Sequence, residues 1–333
     1  MQKVYAAYYD NEVREKSSSG GLFSLLAQQF DVVYGVAMTE DNYGAKFVRV
    51  EKDISVLRGS KYLQASVGDT FKKVKEDLTS GKLVLFTGTG CQVNGLRKFL
   101  NKYYENLFCV DVICHGVPSP LLWEMYVKHQ ESVNGKKVYN VNFRCKEYSW
   151  KDFDMKKDAV FNSKDADPFM QMFLRDYCLR PSCYACKAKE NKMSDMTIAD
   201  FWGIDNVVPE MNDDQGVSLV IVRNDKAVDI FEKCKHELFF REVTYENGVR
   251  QNPSEYSSAK RPPERDIFFN DMLSMDFNDL SKKYASNKHE KGHKCSLLSK
   301  VKRKVKSVLR KGNHNRGGYG ILFMFSNDEK ESR

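Results

Sequence analysis

Two short apolar runs, residues 82–86 (Lys-Leu-Val-Leu-Phe) and 107–113, constrain this chain most, because each ends on a glycine-flanked turn carrying a cysteine. Runs of this length without polar alternation read as buried strands. The first enters Thr87-Gly88-Thr89-Gly90-Cys91-Gln92, and residues 93–103 then show helical periodicity. The second reaches Cys114-His115-Gly116, followed by Pro118-Ser119-Pro120-Leu121, where serine before proline signals a helix start. Further strands are expected at residues 4–9, 30–38 paired with 44–50, 138–145, 196–203 and 217–222. Helices are expected at 69–80, 167–179 and 226–236. Past Pro253 the composition turns polar and Pro-bearing, and the fold is expected to thin out. This alternation predicts an α/β fold: a mixed-sheet core with flanking helices.

Charge divides the chain. Its net charge is +8, but residues 282–316 hold thirteen Lys/Arg and one acid, so that segment carries +12 and the remainder −4. The expected organisation is a body at residues 1–280 and a basic tail at 281–333. A mildly acidic body gives a nucleic-acid partner little support. In the tail, Leu297, Leu298, Val301, Val305, Val308 and Leu309 share one helical face ringed by Lys and Arg. Such a basic amphipathic helix suits peripheral contact with an anionic surface, here the inner membrane; the alternative is a solvated extension. With no apolar signal core and no run of membrane-spanning length, the chain is expected to be cytoplasmic.

Nine cysteines, an odd number, argue against a secreted disulfide framework. Cys183-Tyr184-Ala185-Cys186 has C-x-x-C spacing, able to offer two sulfurs to one metal from a single turn. Together with Cys91 and Cys114 it makes four thiols, the ligand number of a cubane iron–sulfur cluster or a structural zinc. Cys109, Cys145, Cys178 and Cys234 read as packed core thiols, and Cys295 lies in the tail. The Thr87–Gln92 stretch has the strand–turn–helix shape that presents N–H groups to phosphate, but it is neither a Walker loop nor a dinucleotide fingerprint. It reads equally as a tight turn around a buried cysteine. Ser17-Ser18-Ser19-Gly20-Gly21 is a second anion-cradle candidate, or a plain helix cap. His115 is a candidate proton donor or a structural histidine, Asp111 a buried acid in need of a partner, and Lys61-Tyr62 a loop that could clamp a phosphate or flavin edge.

Six blocks, in order, now carry a resemblance. They are Ser18-Ser19-Gly20-Gly21; Gly59-Ser60-Lys61-Tyr62; Phe86 through Gln92; Asp111 through Ser119; Arg180-Pro181-Ser182-Cys183-Tyr184-Ala185-Cys186; and Ser194 through Gly203. Over roughly residues 1–270 the chain resembles the coenzyme F-420 hydrogenase/dehydrogenase beta-subunit family. The resemblance implies an α/β iron–sulfur flavoprotein oxidoreductase that passes electrons between a [4Fe–4S] cluster and FAD. Members act on a deazaflavin, on chlorophyll-type pigments or on other acceptors. It implies Cys91, Cys114, Cys183 and Cys186 as cluster ligands, and Ser18, Ser19, Gly20, Gly21, Lys61, Thr89 and Gln92 as residues lining the flavin. His115 is the expected catalytic proton donor. Two departures stand out. Gly90 replaces the family's usual proline, which predicts a looser turn. No ferredoxin-type cysteine run precedes Cys91, which predicts that electrons arrive from a separate protein such as a ferredoxin, or from a soluble carrier. Short relatives resemble proteins of surface-polysaccharide pathways, with a small-molecule substrate that the residues do not identify. The rival reading is a non-catalytic scaffold of a polysaccharide assembly, with a structural zinc or no metal.

Overall fold

A computed structural model describes residues 2–147, 149–158 and 160–285. Its strands are β1 (Lys3–Tyr8), β2 (Val32–Met38), β3 (Ala45–Val50), β4 (Ala65–Ser66), β5 (Val84–Thr89), β6 (Leu107–Val112), β7 (Asn142–Cys145), β8 (Asp154–Lys157), β9 (Val160–Ser163), β10 (Met196–Asp200), β11 (Ser218–Val222) and β12 (Phe239–Val243). Nine form one sheet in the order β12-β1-β11-β10-β6-β5-β2-β3-β4, and β7-β8-β9 form a small second sheet. At the centre β2, β5, β6 and β10 run parallel. The outer pairs β2–β3, β10–β11, β11–β1 and β1–β12 are antiparallel.

Side-chain alternation explains why the two runs are apolar at nearly every position, Asp111 being the buried exception. Val84, Phe86, Leu107 and Cys109 enter a core on one face of the sheet, whereas Leu85, Phe108 and Val110 enter a core on the other. A parallel strand covered on both sides has no face for water, so both sets must be apolar. Each Leu, Val or Phe so buried is worth roughly 1.5–3 kcal/mol relative to exposure. The first face is packed by helices Thr70–Thr79, Gly90–Leu100, Pro120–Asn134 and Pro168–Leu174. Helices Leu22–Ala27 and Asp225–Cys234 supply Leu22, Leu25, Leu26, Ala227 and Phe231 to the second.

The fold does not thin out after Pro253. Helices Arg265–Ser274 and Phe277–Tyr284 bury Phe268, Met272, Phe277, Leu280 and Tyr284 in the first core. Each contributes only one or two apolar side chains per turn, so average composition hides an apolar stripe that is real. The second of these helices also crosses the 280/281 boundary read from charge. The amphipathic stretch of the tail, with Cys295, lies outside the described residues.

Candidate functional site

Strands β2, β5, β6 and β10 end at one edge of the sheet, the place where open α/β sheets gather ligands. The β5–β6 register pairs Thr89 with Val112. Cys91 and Cys114 each stand two residues further on, so the ladder brings both to this edge. The second pair is steered there by main chain: Ser119 N donates to Cys178 O (2.8 Å) and Arg180 N to Val117 O (2.9 Å). The segment before Cys183 thus lies against the segment after Cys114. A 3-10 turn, Pro181–Ala185, then sets the Cys183/Cys186 spacing, and Cys186 N donates to Ser258 Oγ at 2.9 Å.

The four thiols share one electrostatic neighbourhood. Burial pushes the Cys114 thiol up to about 12, and the charges of Cys91, Cys183 and Cys186 act in the same direction. Burial also raises Cys183, with Cys91 and Cys186 adding to the rise. Lys189 sits among them: burial lowers its pKa, while Cys114, Cys186 and Cys183 oppose that, and its Nζ donates to Ser254 O and Ser257 O, both at 2.7 Å. Among the described residues no three His, Cys, Asp or Glu side chains converge on a single metal ion. One tetrahedral zinc would draw its sulfurs to about 3.8 Å of each other, from a Zn–S bond of about 2.3 Å. A four-iron cubane is a larger body that holds its thiolates further apart, and four cysteines at one sheet edge supply its ligand number. Cys109, Cys145, Cys178 and Cys234 are buried as expected, whereas Cys91 is exposed, against the buried-cysteine reading of its turn.

The turn at Gly90 is not loose. Thr89 and Gln92 form a reciprocal capping box at the start of helix Gly90–Leu100, with Thr89 N donating to Gln92 Oε1 at 2.8 Å. Thr89 Oγ1 lies 3.1 Å from Cys91 Sγ. A Cβ on residue 90 would stand 3.1 Å from Asp111 Oδ2 and 3.3 Å from Ala188 Cβ, so a side chain here would have to push both neighbours back by a few tenths of an ångström. Asp111 is the anchor of a buried network: it accepts from Ser194 Oγ (2.8 Å) and Thr197 Oγ1 (2.5 Å), and Lys192 Nζ is 3.6 Å away.

Beside the cysteines along the same edge lies the serine loop. The plain-cap reading does not hold, because Gly21 is itself the N-cap, at φ +83°, and no side chain caps that helix. The hydroxyls are spent elsewhere: Ser17 Oγ donates to Val13 O, Ser18 Oγ accepts from Ser60 N at 2.8 Å, and Ser19 Oγ donates to Val217 O. Arg14, fully buried, locks the approach with a bidentate pair to Asp213 and a bond to Gly216 O. Lys61 Nζ donates to Val56 O and Arg58 O, and burial lowers its pKa to about 8. From β7 comes Arg144, paired with Asp200 at 2.6 Å, and from the residue just past its end Lys146, whose Nζ donates to Ser19 O and Gln215 O. Trp150 and Trp202 stack at 5.2 Å, with Trp150 Nε1 on Asp200 Oδ1.

A family model for the C-terminal part of the beta subunit of coenzyme F420 hydrogenase/dehydrogenase matches residues 81–247, which hold all four cysteines. The chain belongs to this family. Among solved structures, a chain of the F420-reducing [NiFe] hydrogenase complex from Methanosarcina barkeri superposes with a TM-score of 0.50 at 17% identity, covering 84% of this chain and 89% of that one. At that identity the likeness speaks to the fold. No curated protein sequence matches significantly. Membership of the F420 hydrogenase/dehydrogenase beta-subunit family gives the chain the character of a redox subunit of the oxidoreductase type. No helix among the described residues is long and apolar enough to cross a membrane.

In this family member His115 faces protein. Its Nε2 lies 2.6 Å from Asp176 Oδ1, neither of these buried atoms makes a hydrogen bond, and its ring meets Phe173 edge-on. Asp176 holds a left-handed φ of +64°, a conformation short polar side chains tolerate. Sequence reasoning missed Asp176, Lys189, Arg144, Lys146 and Asp200. Only Asp200 stood inside a recognised block, and the alternation of Arg144 with Lys146 in Asn142-Phe143-Arg144-Cys145-Lys146 was the available signal for the pair. A shallow hollow of about 600 Å³ lined by Lys72, Lys75, Glu76, Thr79, Ser80 and Phe99 contains none of the residues above.

Proposed function

We propose that this protein is an iron–sulfur flavoprotein oxidoreductase. Cys91, Cys114, Cys183 and Cys186 would hold a [4Fe–4S] cluster, and Ser18, Ser19, Gly20, Gly21 and Lys61, with the Thr89–Gln92 turn, would line FAD. The observation that carries the reading is the shared neighbourhood of four thiols on three turns of one sheet edge.

When bound, FAD would supply two-electron and one-electron chemistry and the cluster single-electron relay. The chain's own residues do the rest. The capping box fixes the backbone at Cys91, and the strand ladder fixes its spacing from Cys114. Lys189 sets a positive charge beside the thiols, a lever on their potential and on the charge of whatever they hold. Asp176 Oδ1 stands 2.6 Å from Nε2 of His115 and would orient the ring. Electrons would come from a ferredoxin or soluble carrier, near the exposed Cys91. A substrate in surface-polysaccharide chemistry rests on the resemblance to short relatives alone.

The test is anaerobic reconstitution with iron, sulfide and FAD, followed by gel filtration and an absorption spectrum before and after chemical reduction. Co-eluting flavin and cluster absorbance, both bleached by the reductant, is expected. Zinc at one equivalent with neither flavin nor iron would sink the proposal.

A further inference from the structure

Arg144 is 4% exposed, yet two of its three guanidinium nitrogens, Nε and Nη2, are buried without a hydrogen-bond partner. Leaving charged donors unpaired in the interior is expensive, so such groups are seldom idle. These two nitrogens form one edge of the guanidinium, with parallel N–H bonds, the fork that matches the two oxygens of a carboxylate or phosphate. The opposite side is already held: Nη1 donates to Asp200 Oδ2 at 2.6 Å and to Tyr62 OH at 3.3 Å. The plane is held as well, with the Phe153 ring 4.0 Å and the Trp202 ring 4.9 Å from Cζ. The group is therefore oriented, and its free edge is defined.

Charge points the same way. Arg14 is matched by Asp213 and Arg144 by Asp200. Lys146, two residues along the same extended segment, reaches only the carbonyls of Ser19 and Gln215 and has no carboxylate partner among the described residues. Its pKa falls to about 7, first through burial and then through Arg14, with Asp200 and Asp213 opposing. The locality thus carries one lysine without a carboxylate partner and one unfilled fork.

We propose that the Nε–Nη2 edge of Arg144, backed by Lys146, is an oxyanion-binding site that takes a phosphate or carboxylate group of a ligand at this edge of the sheet. The oxyanion could belong to the diphosphate of FAD, in which case the site deepens the proposed function, or to an anionic substrate. Because the free edge is shut off from solvent, side chains around it must move aside on binding, and Trp202 reports that movement.

The experiment uses the full chain, prepared anaerobically, and titrates it with inorganic pyrophosphate, succinate, FAD and riboflavin by calorimetry and tryptophan fluorescence. Arg144→Lys and Arg144→Gln are compared with wild type after their folding is checked by circular dichroism. Lysine keeps the charge and removes the fork. Wild type should bind at least one of pyrophosphate, succinate and FAD with a fluorescence change, and both variants should bind it roughly tenfold or more weakly. If the oxyanion is that of FAD, the variants lose FAD affinity and keep riboflavin affinity. If it is the substrate's, FAD affinity is unchanged and the FAD-loaded wild type still binds pyrophosphate or succinate. Arg144-dependent anion binding with no flavin binding at all would sustain the site and overturn the flavin reading. Equal affinities in wild type and Arg144→Lys for every probe, or no binding of any anion by wild type, would overturn the site.

Discussion

Replacing Gly20 with alanine puts a methyl group where the fold has no room. The added Cβ would lie 2.5 Å from Ala7 O, 2.8 Å from Ser218 N and 2.9 Å from Ser218 Oγ. Ala7 and Ser218 are register partners on β1 and β11, so two of the three contacts are main chain of the sheet itself. Relief requires the serine loop to lift, which breaks Gly20 N to Ser218 Oγ and Tyr9 N to Gly20 O. Overpacking costs about 1–3 kcal/mol and two hydrogen bonds about 1 kcal/mol each, for a total of roughly 3–5 kcal/mol. In a domain of this size that is a fall in Tm of about 6–20 °C, at roughly 2–4 °C per kcal/mol. Gly44→Ala is the control, since its Cβ would meet only Thr39 Cγ2 at 3.9 Å, and it should stay within about 0.5 kcal/mol of wild type. Urea unfolding and thermal melts of the three proteins decide the matter. A Gly20→Ala protein within about 1 kcal/mol of wild type would refute the idea that this loop is pinned by backbone contact.

Other expectations are direct. Asp195 is buried and accepts from Cys109 N, Arg97 Nη2 and Asn224 Nδ2, so Asp195→Ala should cost about 3 kcal/mol in urea denaturation, because the buried Cys109 N–H and the largely covered Arg97 lose their acceptor. The lowered pKa of Lys146 has a sign that can be measured. Below pH 7 both folded and unfolded chains carry the proton and the fold bears the full cost; from about pH 7 toward 10.5 the unfolded chain binds more protons, so stability rises with pH. Lys146→Met should remove that slope from the difference between variant and wild-type stabilities, and an unchanged slope would contradict the assignment. Cys91→Ser should abolish retention of iron after anaerobic reconstitution while Cys234→Ser, a core thiol, retains it.

Much of the architecture is legible in the residues, and the exceptions have physical causes. The strands β5 and β6 announce themselves because burial on both faces makes Val84–Phe86 and Leu107–Val110 continuously apolar. Strand β8, Asp154-Met155-Lys156-Lys157, does not, because Lys157 is buried by an ion pair to Asp167 that no local pattern predicts. The Cys183/Cys186 pair is visible from spacing, and Cys91 and Cys114 from their glycine-flanked turns. What brings the four together, the Thr89–Val112 register and the Cys178–Arg180 pairing against Val117–Ser119, is tertiary. Arg144 shows the same limit from the other side. A lone arginine on a strand looks like a solvated charge, and only the stack of Phe153 and Trp202 around it shows that its fork is buried.

The central claim is a cluster on four named thiols, and its most direct test is chemical. Iron, acid-labile sulfide and zinc are to be measured per chain in wild type and in the Ser variants of Cys91, Cys114, Cys183 and Cys186, all handled without oxygen. Wild type is predicted to hold about four iron and about four sulfide with no zinc, and every single variant to lose both. One zinc with no sulfide, or full iron and sulfide in all four variants, would contradict it.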